Sequence, residues 1–462
     1  MKKLIAMALV AFAIASCSKE NTSVDPNLAQ GESTYAGVTI SFPTSVTTPV
    51  AQSATRADAN ANAMETAVKS IGVYVADKVS ELVHCGLYSA SDFQLVGEKY
   101  QLKTALLTTS GAKTFYVVLN PSTQLHAKIV AAGKNSFNGS LALVDETFIN
   151  KKSNAIESLT MSSLSGGKEY TVAVQDKDAA LANPFAVVVE RNTAKVTVKF
   201  ASSYDVIGGS VSSMKFGVGV VPKQSYLIQN LIDPAQPVSI TNVYTPANKV
   251  TMPDAAKASA EYIAYIAKYF SANVVLPAEW IDVQAATVAN NALLGFYCPE
   301  NVNKKDLQEN TTSAIIKAVF TPTAGTAVTA YNAGTKETTL GDITTGSSFY
   351  KRKSDGVLWS DAAYNAATSS SDMTSDAFSA KYDGGVCYYR IWVMGENATG
   401  PGEVGVLRNK FYVLNITKIN GIGTPAHPST GSTPGEEIET QCLISVDVTL
   451  TDWSMVESNH EI

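Results

Sequence analysis

Val38-Thr-Ile-Ser-Phe42 puts three large apolar side chains, Val38, Ile40 and Phe42, on one side of an extended segment and two hydroxyl side chains on the other. That period of two is the pattern of a half-buried β-strand, and Pro43 ends it by withholding a ladder donor. The strand stands alone. Residues 18 to 37 before it are polar, carry Pro26 and Gly31, and read as a tether. Residues 44 to 63 after it are rich in Ala, Thr and Asn without periodicity, which predicts an exposed loop. Arg56-Ala57 lies within that loop, in a chain where the only later arginines are Arg191, Arg352, Arg390 and Arg408. The layout predicts a first strand built to be cut away after folding. A sandwich that loses a strand is left with an open apolar groove, and another copy of the chain can fill it.

Upstream, Lys2-Lys3 precede an apolar run from Leu4 to Ile14, too short to span a bilayer as a mature helix. Ile14-Ala-Ser-Cys17 then sets small residues before a cysteine, the pattern of a lipoprotein signal. Residues 1–16 are expected to leave as the signal, Cys17 to carry the lipid (palmitate among its acyl chains), and residues 17–56 to form a lipidated propeptide. An ordinary secretory signal with an incidental cysteine is the plainer alternative. Cys85, Cys298, Cys387 and Cys442 form no C-x-x-C pair and match no zinc spacing. A core this large requires no disulfide, so buried free thiols are expected.

The 462 residues suffice for two to three domains, and 45% hydrophobic against 16% charged content supports large packed cores. A formal net charge of -6 without a basic cluster argues against nucleic acid as a partner. Short apolar or alternating runs continue down the chain: Ile71 to Val75, Tyr100 to Leu107, Phe115 to Leu119, Phe185 to Val189, Val196 to Phe200, Phe216 to Val221, Ala314 to Phe320, Tyr388 to Val393 and Phe411 to Ile416. Gly111-Ala-Lys113 reads as a turn between two of them. Residues 141 to 149 and 254 to 270 look helical, the second capped by Asp254 with Tyr262, Ile266 and Tyr269 on a core-facing stripe. Many strands and few helices predict a mainly β chain of antiparallel sandwiches. A seam near residue 190 separates an N-terminal sandwich, 57–190, from a C-terminal one, 191–462. Near the end, the Gly- and Pro-containing stretch 421 to 440 reads as a mobile connection. It leads to Leu443-Ile-Ser-Val-Asp-Val-Thr-Leu450, where Ile444, Val446, Val448 and Leu450 share one face. Such a strand can pair within its own domain, or be carried elsewhere, because loop closure grows only slowly with length.

Chemistry-bearing patterns are missing. The four histidines, His84, His126, His427 and His460, form no H-E-x-x-H motif, and there is neither a G-x-S-x-G elbow nor a phosphate loop. No metal, no cofactor and no enzymatic activity are expected. The 20 Tyr, 15 Phe and 4 Trp could stack on sugars, but packing is their ordinary use.

Taken together, Cys17-Ser-Lys-Glu, Thr55-Arg-Ala57 ahead of Ile71-Gly-Val-Tyr-Val75, Lys113-Thr-Phe-Tyr-Val-Val-Leu-Asn120, Pro184 to Arg191 with Ala194-Lys-Val196, Cys387 to Trp392, Arg408 to Leu414, Ile419 to Pro425 and Val446 to Trp453 make the chain resemble the fimbrillins of Bacteroidia, the type V pilins that build surface fimbriae. The resemblance implies two transthyretin-like β-sandwich domains with a few short helices. It implies export as an outer-membrane lipoprotein precursor, cleavage between Arg56 and Ala57 by an arginine-specific or trypsin-like protease, and donor-strand exchange into a head-to-tail filament at the cell surface, joined by minor fimbrial subunits and supporting adhesion. Carried over, Val38, Ile40 and Phe42 leave with the lipid, and a neighbour's Ile444, Val446, Val448 and Leu450 supply the replacement. The short polar tail Glu457-Ser-Asn-His-Glu461 departs from the family pattern. A tip or anchor subunit of the same fimbria, or a surface glycan-binding lipoprotein, are the alternatives.

Overall fold

The computed structural model describes residues 31–42, 63–77, 82–97, 99–137, 142–143, 157–236, 238–254, 259–271, 280–394, 404–428, 435–438 and 444–452. Cys17, Arg56, Ala57, Cys442 and His460 lie outside them.

The first half is built from β1 (Ser33–Ala36), β2 (Val38–Ser41), β3 (Ser70–Asp77), β4 (Leu82–Ser89), β5 (Phe93–Val96), β6 (Lys99–Leu102), β7 (Leu106–Thr109), β8 (Gly111–Leu119), β9 (Ala142–Leu143), β10 (Met161–Ser163), β11 (Lys168–Val172) and β12 (Phe185–Arg191). Nine of these form one sheet in the order β4-β3-β8-β10-β12-β2-β6-β5, with β11 on β8, while β1 pairs with β7 separately. The alternation seen in Ile71, Val73 and Val75 puts those residues inward against Ile40, Val117 and Val187, all but inaccessible to solvent. The sheet curls over this core, and the opposite face of β3 and β8 buries a second one, with Tyr74, Ala76, Tyr116 and Val118 packed on Leu125 and Ile129.

The second half holds β13 (Thr193–Val206), β14 (Gly209–Gly219), β15 (Ser225–Tyr226), β16 (Ile281–Asp282), β17 (Phe296–Pro299), β18 (Ser313–Pro322), β19 (Ala327–Asn332), β20 (Glu337–Gly341), β21 (Phe349–Lys351), β22 (Leu358–Ser360), β23 (Val386–Trp392), β24 (Lys410–Ile419) and β25 (Ile444–Asp452). Two four-stranded sheets, β17-β13-β24-β25 and β16-β14-β18-β23, close face to face on Val196, Val198, Phe216, Ile316, Leu414 and Ile416. A third sheet, β20-β19-β22-β21, packs with a helix at Asp361–Ser369 on its own small core around Trp359 and Phe378. The chain is therefore mainly β, as expected, with short helices such as Thr123–Ala132 and Ala260–Tyr269 on the periphery.

Several expectations are corrected. The sheets are not purely antiparallel: β2 runs parallel to β12, and β13 parallel to β24. Parallel neighbours need long crossovers, and both pairs are far apart in sequence. The expected strand Tyr100 to Leu107 is two strands, because β6 pairs with β5 and β2 whereas β7 pairs with β1. Gly111 opens β8 instead of forming a turn. Within the expected helix 141–149, Ala142–Leu143 is a strand paired with β15. The helix expected from 254 starts at Ala260, capped by Ser259, whose hydroxyl accepts from Tyr262 N. The connection 421 to 440 is tied down at its described ends: Tyr382 OH donates to Gly423 O (2.9 Å), Arg390 Nη2 to Pro428 O (2.8 Å), and Ile422 and Ile438 are buried. Those two isoleucines outweigh the Gly/Pro composition. Cys298 and Cys387 are buried free thiols as expected, whereas Cys85 is disulfide-bonded.

Candidate strand-exchange site

β2 is an interior strand. Val38 and Ile40 are solvent-inaccessible, as is Ala36 at the end of β1. On one side β2 pairs with β12, Val38 opposite Phe185 and Ile40 opposite Val187; on the other it pairs with β6, Ile40 opposite Tyr100. Phe42, just past the strand, is half-buried, edge-on to the Tyr100 ring (6.4 Å) and under the Arg191 guanidinium (5.8 Å). β1 is held as well: Thr34 Oγ1 donates to Ala173 O (3.0 Å), and Gln175 Nε2 donates to Tyr35 O (2.9 Å). Between the two strands, Gly37 passes so close to the backbone that a Cβ there would lie 2.1 Å from Ala180 O. Only glycine fits that crossing, and the sequence reading missed it because polarity, not proximity, was visible.

The short helix Ala63–Thr66 carries a second feature the sequence did not reveal. Glu65 is fully buried, ion-paired with Lys195 Nζ at 2.8 Å and accepting from Tyr297 OH at 2.6 Å. Its carbonyl accepts from Arg191 Nε (3.0 Å). Lys195 lies 4.6 Å over the Phe411 ring, and burial lowers its affinity for a proton while Glu65 opposes that. Lys195 and Tyr297 belong to β13 and β17, so this carboxylate pins the segment just beyond Arg56 onto the second half. A lone glutamate in Ala63-Met-Glu-Thr66 gives no sequence signal for such a role. Removing one partner of a buried pair strands the other charge. Glu65→Ala is therefore expected to cost about 3–5 kcal/mol in urea unfolding, most of it regained in the Glu65→Ala/Lys195→Met double variant.

β25 pairs antiparallel with β24, from Ile444 opposite Ile419 to Asp452 opposite Lys410, with Val448 opposite Leu414 and Leu450 opposite Tyr412. Among the described residues it is the outer strand of its sheet, and Val446 packs partly against the core. The structure thus places Ile444, Val446, Val448 and Leu450 on one edge strand of the second half, and Val38, Ile40 and Phe42 in the first half. Within one chain it does not bring the two sets together.

A polar cluster lies beside the seam. Arg408 donates to Leu227 O (3.1 Å) and Tyr226 O (2.7 Å) and pairs with Glu300, which also accepts from Gln229 (2.6 Å). Glu190, on β12, is buried nearby, and its carboxyl is pushed up to about 7 by burial, with Glu300 adding to the shift and Arg408 and Lys410 opposing it. The native state therefore holds this proton where the unfolded chain, at about 4.5, releases it. The stability it contributes is full below about pH 4.5 and lost as pH rises through about 7, roughly 3 kcal/mol in all. Urea midpoints measured across that window are expected to fall with pH in the wild type and to change less in Glu190→Gln.

The described histidines pack rather than converge. His84 Nε2 meets Tyr88 OH (3.0 Å), His126 Nδ1 meets Tyr74 OH (2.8 Å), and His427 lies between Trp280 and Tyr388. Among the described residues no group of His, Cys, Asp or Glu is placed to hold a metal ion. None of their helices is long and apolar enough to cross a membrane.

Residues 380–459, which include β23, β24 and β25, match the profile of the family described as major fimbrial subunit protein type IV, fimbrillin, C-terminal. No curated protein matches the chain. Similar solved structures include a fimbrilin (FimA) of Porphyromonas gingivalis W83, 15% identical, covering 92% of this chain and 99% of its own, at a TM-score of 0.43. The tip fimbrial protein Mfa3 of Porphyromonas gingivalis, with a C-terminal truncation, is 12% identical, with 91% and 100% covered and a TM-score of 0.39. A Parabacteroides distasonis protein described as a cell adhesion protein is 13% identical, with 90% and 96% covered and a TM-score of 0.45.

Proposed function

We propose that this chain, whose residues 380–459 carry the fimbrillin C-terminal region, is a shaft subunit of a cell-surface fimbria that matures by losing its first strands. It is exported as a lipoprotein anchored through Cys17, cut between Arg56 and Ala57 by an arginine-specific or trypsin-like protease, and polymerised when β25 of one copy enters the slot vacated by β2 in the next. The observation that carries this reading is the interior position of β2: Val38 and Ile40 are fully buried, with a strand on either side.

An interior strand that departs leaves apolar residues and two unpaired edges exposed, and a second chain can satisfy both. The donor face Ile444, Val446, Val448, Leu450 repeats the alternation of Val38, Ile40, Phe42. A donor on one half and an acceptor on the other make a head-to-tail contact, which grows an open filament rather than a closed dimer. The sandwich from 57 to 190 is then the acceptor unit, and that from 191 to 462 the donor unit. Occupation of the slot by the chain's own strand keeps precursors monomeric.

N-terminal sequencing of fimbriae sheared from cells tests the reading. Subunits are expected to begin at Ala57. A lipidated Cys17 in the assembled fibre would overturn the shaft assignment in favour of an anchor.

A further inference from the structure

β6 has two strand neighbours, β2 and β5, and β5 has one, β6. Every backbone ladder joining the β5–β6 hairpin to the rest of the nine-stranded sheet, among the described residues, therefore runs through β2. If β2 leaves, the sheet divides. The contacts left at the hairpin include the bond from Gln101 Nε2 to Leu181 O (3.0 Å), the buried side chains of Phe93 and Leu102, and Tyr100 packed against the core. Tyr100 sits edge-on between Phe42 (6.4 Å), which departs, and Phe93 (5.7 Å), which stays on the hairpin. The bond from Lys103 N to Asp92 O closes the hairpin on itself and adds no tie to the sheet.

We propose that the β5–β6 hairpin is a strap over the strand slot: it is latched by whichever strand lies in the slot, opens when residues 33–42 are removed, and closes again over the strand of a second copy. This rests on the strand-exchange reading above and specifies how that exchange is gated. A slot walled by fixed β12 on one side and fixed β6 on the other leaves an incoming strand no lateral play while it finds its register. A hinged β6 admits the incoming strand broadside against β12. It then completes the second ladder, so that the donor is held from both edges and its release requires the hairpin to open again. Opening a two-stranded hairpin that has lost its ladder to the rest of the sheet is a local event, cheaper than global unfolding.

Amide hydrogen exchange read on peptides covering residues 93–102 tests the strap in three states: the full uncleaved chain, the cleaved subunit after release of residues 33–42, and the assembled fimbria. Exchange is expected to speed up about tenfold or more on cleavage and release, and to return to the uncleaved rate in the fimbria, with β3 and β8 protected throughout. Unchanged protection across the three states overturns the strap. So does protection that is lost on cleavage and not regained in fimbriae. Strand exchange itself is scored separately, by whether residues 33–42 are absent from fimbriae and whether a cysteine placed by Val446→Cys crosslinks to one placed by Val187→Cys in a neighbour. A positive crosslink with a hairpin that never loosens overturns the strap and leaves the exchange standing; a hairpin that loosens on cleavage but fibres that show no crosslink remove the exchange and, with it, the closing of the strap over a second copy.

Discussion

Arg56→Ala is expected to leave folded, lipid-anchored subunits that build no filaments. While residues 43–62 join β2 to the body of the protein, β2 competes for its slot as part of the same molecule, at an effective concentration no free donor matches. Burying Val38 and Ile40 fully and Phe42 in part favours the occupied slot by several kcal/mol, at about 1.5–3 kcal/mol per side chain, and the ladders to β12 and β6 add to it. Cleavage breaks none of these contacts. It converts the occupant into a detachable piece that, once lost, is diluted away. The variant is expected to keep the wild-type unfolding midpoint, since Arg56 stands in a polar stretch of sequence without apolar periodicity, and to yield no fibres in electron micrographs of cell surfaces. Normal fibres from it would contradict the scheme.

Deleting residues 443–462 is expected to abolish polymerisation while keeping a folded acceptor. β24 loses its ladder to β25 but keeps the one to β13, so the truncated chain is expected to unfold cooperatively at a lower midpoint. Its slot is untouched. Truncated, cleaved subunits mixed with full-length ones should therefore accept a donor, offer none, and shorten the fibres in proportion to their share, because each ends a head-to-tail chain. Fibres of undiminished length in the mixture, or any fibre from the truncated chain alone, would refute β25 as the donor.

The period-two strands were legible because alternation depends only on which side chains face the core. Val38 to Phe42, Ile71 to Val75 and the last strand all fall where alternation puts them. Partner and direction were not legible. Nothing in Val38-Thr-Ile-Ser says that β12, far along the chain, will lie parallel to it, since that is decided by how the sheet closes. The inserted sheet of β19–β22 escaped notice for a related reason: Glu337-Thr-Thr-Leu-Gly341 is largely solvent-exposed and shows no apolar face. Asp254 was a chemically sound cap in the wrong place, since Ser259 stands directly before the Tyr262, Tyr265, Tyr269 stripe that the helix must bury. Within the candidate site, the strands could be read and their fastenings could not. Gly37 matters through a backbone approach and Glu65 through partners on β13 and β17, both properties of the folded arrangement.

β18 and β23 are direct neighbours, paired from Ser313 opposite Trp392 to Val319 opposite Val386, yet the whole β19–β22 sheet and its helix hang between them. Topologically they form a hairpin whose tip has grown into a miniature fold with its own interior. Lengthening a tip costs little once its base is clamped, so this excursion can be recast in size and chemistry without disturbing the sandwich. In a polymer of identical copies, any such revision reappears at every repeat along the fibre.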